Sequence, residues 1–201
     1  MDNSRGKILW VDDEIDHLKP HILFLEDKGF NISTASNGAD AVTLIKENNF
    51  QLILMDQFMP GQDGIQTIQE FGELRPNLPV IMITKSEEEW LMDEAISQKI
   101  SQFLIKPVSP SQIFMACKQV LENYKIREEK ITSGYLKEFK DIEELIRREL
   151  NADDWWDIYK RLSKWQMDFD EHKDIGLGNI LMEQIHTCNR EFVKFVQSSY
   201  S

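Results

Sequence analysis

Cysteine is nearly missing from this 201-residue chain: Cys117 and Cys188 are its only two. Each falls inside an apolar helical pattern and far from any CxxC spacing, so a buried reduced thiol is the expectation ahead of a disulfide or metal ligand. Long apolar runs are missing as well. None approaches the ~20 residues needed to cross a bilayer, and Asp2-Asn3-Ser4-Arg5-Gly6 leads straight into a strand pattern instead of a signal peptide, so a cytoplasmic protein without membrane insertion is expected. Basic charge is in deficit, with 11 basic against 19 acidic side chains over residues 1–125 and 12 against 16 over 126–201. Nucleic-acid modules need clustered Lys and Arg to displace counterions, so a protein or a cation is the expected partner, and nucleic acid is not.

What is plentiful is core material: 41% hydrophobic residues, with five Trp and eleven Phe. That suffices for a folded chain, and the length suits one domain of ordinary size plus a smaller one, here 1–124 and 125–201. From Lys7 to about Tyr124, short apolar runs alternate with helical patterns. The runs Lys7–Asp12, Phe30–Ala35, Gln51–Asp56, Pro79–Thr84 and Gln102–Ile105 read as strands of an α/β, doubly wound parallel sheet. Helix starts agree: Asn37 with Asp40, Ser86 with Glu89, and Ser109-Pro110-Ser111-Gln112 are capping sequences. Pro20 would sit beyond the first turn of a helix starting near Asp13 or Glu14, which predicts an irregular start.

After Tyr124 the pattern is helical only: Ser109 to about Ile131, Tyr135–Leu150, Asp153–Phe169 and Ile175–Tyr200. Breaks at Ser133-Gly134, Asn151-Ala152 and Gly176–Gly178 predict a small antiparallel bundle. The helix from Pro110 would be about 33 Å long if it reached Ile131, outreaching the first domain and coupling it to the bundle. Trp155, Ile158, Tyr159, Leu162 and Trp165 form one apolar stripe, and Leu181, Ile185, Cys188, Phe192 and Phe195 form another that would pair with it.

In an open parallel sheet, ligands gather at the carboxyl ends of the strands. Those ends carry a set here: Asp12-Asp13 after the first strand, Asp56 at the third, Thr84 at the fourth, and Lys106-Pro107 after the fifth. Three carboxylates drawn together repel unless a hard cation neutralises them, which points to Mg²⁺ and to phosphoryl chemistry.

The pieces Val11-Asp12-Asp13, Asp56-Gln57-Phe58-Met59-Pro60-Gly61-Gln62-Asp63-Gly64, Thr84-Lys85 and Phe103-Leu104-Ile105-Lys106-Pro107 resemble the CheY-like receiver domains of two-component response regulators. The resemblance implies a flavodoxin-like (βα)5 fold and a phosphoswitch with no enzymatic domain of its own in this chain. It implies that Asp56 accepts a phosphoryl group from a sensor histidine kinase, with Lys106 and Thr84 contacting that group. Asp13, Asp56 and the backbone carbonyl of Phe58 would bind Mg²⁺ directly, and Asp12 through water. Thr84 and Phe103 would be the switch pair, with a cis Lys106-Pro107 bond and a homodimer forming on phosphorylation through the face of the fourth helix, fifth strand and fifth helix. Lys85 and Phe58 depart from the family's usual small and polar residues, which bears on access to the phosphoryl group and on its lifetime.

More narrowly, Leu18-Lys19-Pro20-His21-Ile22-Leu23-Phe24-Leu25, Thr84-Lys85-Ser86-Glu87-Glu88-Glu89 and the tail around Trp155–Trp165 are similar to PorX-type regulators of Bacteroidetes. Members carry a receiver, a helical linker and a C-terminal PglZ effector domain, and they control type IX secretion. The resemblance implies that the effector lies outside this sequence. A receiver-adaptor acting only by protein docking, or an RNA-binding antiterminator tail, are the alternatives.

Other signals have plainer readings. His17 and His21 lack a third ligand and read as surface residues, and His186 lacks the neighbours of a phosphotransfer histidine. Trp155 and Trp156 are adjacent and cannot share a face, so one of them should meet another domain or subunit, which makes that patch a candidate interface.

Overall fold

A computed structural model of the chain describes residues 5–85, 99–146, 151–172, 185–190, and Glu183, Val193, Lys194 and Gln197. It divides into two compact units, Met1–Lys125 and Ile126–Ser201. The first holds β1 (Gly6–Val11), a 3₁₀ turn (Ile15–Leu18), α1 (Lys19–Asp27), β2 (Phe30–Ala35), α2 (Gly38–Glu47), β3 (Leu52–Asp56), α3 (Gly64–Gly72), β4 (Val80–Thr84) and β5 (Ile100–Ile105). Helix α4 (Pro110–Ile146) begins in this unit, and α5 (Ala152–His172) belongs to the second.

The five strands form one sheet in the order β2-β1-β3-β4-β5, every pair parallel. Because side chains alternate across a strand, each strand feeds two cores. Leu9, Val11, Ile53, Met55, Val80 and Met82 pack on the side of α2 and α3. Ile8, Trp10, Leu52, Leu54, Ile81 and Ile83 pack on the side of α1 and α4, against Leu25, Ile113 and Cys117. Each such side chain contributes roughly 1.5–3 kcal/mol by leaving water, and β3 and β4 are buried along their whole length.

Expected strands are all found, though β5 starts two residues earlier, at Ile100. Asn37 caps α2 by accepting from the Asp40 N–H at 2.9 Å. The Ser109 Oγ accepts from the Gln112 N–H at 3.3 Å, while the Gln112 Oε1 accepts from the Ser109 N–H at 2.9 Å, closing a capping box ahead of Pro110. Pro20 has the expected effect: the chain enters α1 through a 3₁₀ turn, with the proline in the first turn of the α-helix proper. Ser86 and Glu89, and the break at Gly176–Gly178, lie outside the described residues.

Two expectations for the helical part are corrected. The break at Ser133-Gly134 does not occur, since α4 runs unbroken to Ile146. One mid-helix glycine costs only about 1 kcal/mol relative to alanine, and the flanking Leu, Lys, Glu and Arg residues are good helix formers. Tyr159 does not join the buried stripe but stacks on Trp156, ring centroids 5.4 Å apart, and both are exposed, at 53% and 61%. The rest of the stripe is as expected, with Trp155, Ile158, Leu162 and Trp165 buried against Ile142, Ile185 and Cys188. Asn151 starts α5 by accepting from the Asp153 and Asp154 N–H groups. Among the described residues no helix is long and apolar enough to cross a membrane.

Candidate functional site at the carboxyl end of the sheet

Register alone draws the site together. Val11 pairs with Met55, so the next residues, Asp12 and Asp56, emerge side by side. Asp56 pairs with Ile83, bringing Thr84 to the same level, and Thr84 pairs with Ile105, which places Lys106 at the rim. The Lys106 N–H donates to the Thr84 carbonyl at 2.8 Å. A one-residue slip in any of these pairings would turn the charged residue to the other face of the sheet.

Asp12, Asp13 and Asp56 each offer a carboxylate oxygen, and those oxygens lie within 4.8 Å of one another. Asp12 and Asp56 are buried and Asp13 is exposed. Lys106 joins the cluster, its Nζ 2.9 Å from Asp56 Oδ1 and 3.1 Å from Asp12 Oδ2. The ammonium meets Asp12 as a directed hydrogen bond, but it meets Asp56 Oδ1 off the hydrogen-bonding direction, as an ion pair. Burial pushes the Asp56 carboxyl above the usual aspartate range; Lys106 opposes this, and Asp12 and Asp13 add to it. Burial pulls on Lys106 in the other sense, yet contact with Asp56 and Asp12 wins and holds it above the usual lysine value.

Three carboxylates facing one ammonium leave an acidic surplus made of hard oxygen donors. That donor chemistry fits a hard divalent cation.

Thr84 is fully buried. Phe103 is half-buried, pairs with Met82 across β4 and β5, and lies on the same sheet face as Thr84. Phe58, two residues past Asp56, turns its ring to solvent at 42% exposure. Lys85 is exposed, and the Lys106-Pro107 bond is cis, as the resemblance implied.

His17 is exposed, but His21 is not the surface residue expected: it is half-buried, its Nε2 3.1 Å from the Val108 carbonyl. Gly64, in the motif that follows Asp56, has a structural role. A Cβ there would collide with the Asp56 carbonyl oxygen, so α3 can start close under β3 only with glycine at this position. Asp63 and Gln66 complete that start as a capping box.

Residues 8–118 match the response regulator receiver domain family. The chain belongs to that family. As a receiver of the two-component type, it is followed by residues 125–201, which match the PorX response regulator linker domain. The transcriptional regulatory protein SrrA of Staphylococcus aureus is 36% identical over 117 residues, covering 58% of this chain and 48% of its own. This chain thus spans about half the length of the curated relatives it matches. Among solved structures, a CheY-like receiver of Methanospirillum hungatei is similar at 25% identity and a TM-score of 0.56, covering 62% of this chain and 99% of its own. NtrX of Brucella abortus is similar at 27% and 0.57, covering 63% and 29%.

Proposed function

We propose that this receiver is a Mg²⁺-dependent phosphoswitch in which Asp56 accepts a phosphoryl group from a sensor histidine kinase. The observation that carries the reading is the meeting of Asp12, Asp13 and Asp56 with Lys106 at the tips of β1, β3 and β5. In the transfer, an Asp56 carboxylate oxygen attacks phosphorus and forms a P–O bond while the P–N bond to the donor imidazole breaks. The leaving nitrogen keeps the electron pair. Lys106, already poised against Asp56, neutralises one phosphoryl oxygen, and the Thr84 hydroxyl donates to another. Asp12, Asp13, Asp56 and the Phe58 carbonyl would hold the cation, which when bound supplies charge neutralisation and alignment of the phosphoryl oxygens.

Movement of Thr84 toward the phosphoryl group would free space on its face of the sheet for Phe103 to turn inward, changing the surface beside β5. Ile105 and Met115, large apolar residues exposed on the β5 and α4 side, support homodimerisation there as the output. The receiver would occupy residues 1–124 and the helical bundle 125–201. The linker match supports a PorX-type regulator and, through it, control of type IX secretion by a downstream effector.

The test is phosphorylation by acetyl phosphate with Mg²⁺, followed by electrophoresis that separates phosphorylated from unmodified chains. The wild type should shift and Asp56→Asn should not. A shift that survives Asp56→Asn would reject the assignment.

A further inference from the structure

Helix α5 carries two apolar stripes, where a helix packed on one side needs one. Trp155, Ile158, Leu162 and Trp165 make the buried stripe. Trp156, Tyr159 and Met167 make a second, turned roughly a third of the way round the helix, and all three are exposed. At 1.5 Å per residue this stripe runs about 16 Å along α5. Its rings lie nearly parallel, at 17°, so Trp156 and Tyr159 present a single plate.

Asp153, Asp157, Lys160 and Lys164, spaced four, three and four, line one edge of the second stripe. Their charges are segregated, two acids before two bases. Asp157 has partners in its own helix, Lys160 Nζ at 3.7 Å and Arg161 Nε at 2.9 Å. Asp153, however, lies four residues from Asp157, and Lys164 four from Lys160, like-charge spacings that weaken a lone helix. Read backwards, the edge exchanges acid for base at every position. Two antiparallel helices packed face to face bring the same edge of each together, so this edge is complementary to itself, as a two-fold interface requires.

We propose that α5 pairs antiparallel with α5 of a second copy of this chain, about a two-fold axis between Ile158 and Tyr159. Asp153 then meets Lys164 of the partner subunit, and Asp157 meets the partner's Lys160. The aromatic plate straddles the axis at the centre, with the charge pairs outside it. A single helix pair buries well under the roughly 1,200–2,000 Å² of stable interfaces, so the pairing is weak and depends on concentration. It needs no phosphoryl group and does not rest on the phosphoacceptor reading.

The test is sedimentation equilibrium of the unphosphorylated full chain in EDTA at low salt, where surface charges are least screened, from about 10 μM to 1 mM. The average mass should climb toward that of a dimer. Asp153→Lys sets lysine against Lys164 of the partner subunit, and Lys164→Asp sets aspartate against the partner's Asp153, so each variant alone should associate about tenfold more weakly. An equimolar mixture of the two variants should recover association, because every lysine again faces an aspartate at both ends. Trp156→Ala should weaken association without a charge change. A native chain that stays monomeric throughout overturns the proposal. So does a mixture that associates no better than its components, the outcome if the stripe covers a different surface or binds a different protein.

Discussion

The Lys106 ammonium lies 2.9 Å from Oδ1 of Asp56, and it is only one-quarter exposed. Removing it leaves two buried carboxylates, Asp12 and Asp56, facing each other without a cation. Lys106→Met should therefore destabilise the first unit by about 1–3 kcal/mol in metal-free buffer, an unmet buried charge outweighing the lost entropy cost of the lysine. Urea unfolding checks this, and added Mg²⁺ should return part of the loss.

Asp56 gives the opposite sign. Its carboxyl titrates above the ordinary 3.8 because burial disfavours the charge. The folded state thus holds this proton more tightly than the unfolded one. The resulting stabilisation is fully present below pH 3.8 and is lost as pH rises through the raised value. Asp56→Asn removes that loss, so without Mg²⁺ it should be more stable than wild type at pH 7. The gap should close toward pH 3.8. A wild type more stable at pH 7 would contradict the burial argument.

Two glycines make a paired test. Gly64→Ala should cost about 1–3 kcal/mol by overpacking against the Asp56 carbonyl, and should shift the resonances of Asp56 and Asp12. Gly134→Ala, in the interior of α4 with open space around the added methyl, should stabilise the helix by about 0.5–1 kcal/mol. Thermal unfolding of the two variants reads both signs.

Burial pushes the Cys117 thiol up to about 12. At pH 8 the thiolate needed for reaction is nearly absent, and the sulfur is fully covered. Cys117 should resist a thiol reagent in the native protein and react only at the rate of unfolding, as peptide mapping after timed labelling would report.

The sheet and the acidic cluster were legible because both follow from short-range rules. Apolar runs ending in Asp12, Asp56 and Thr84 imply strands, and parallel register then brings their tips together. Asn37 and Ser109 announced their helices through capping chemistry, and Pro20 an irregular helix start. Continuity of α4 through Gly134 was not legible, because one glycine weakens a helix less than a long flanking run of helix formers supports it. Tyr159 was misassigned because it sits at the edge of the stripe, where 100° per residue cannot decide between the core and a stack on Trp156. The hydrogen bond from His21 to Val108 joins residues 87 apart in sequence, beyond the reach of any local pattern.

The central claim is that Asp56, and no other side chain, becomes an acyl phosphate. Borohydride reduces an acyl phosphate to an alcohol, so reductive trapping after acetyl phosphate treatment, followed by peptide mass spectrometry, reads the site directly. Homoserine at position 56, formed with Mg²⁺ and lost in EDTA, is the predicted result. Homoserine at another aspartate, or equal conversion in EDTA, would contradict the account.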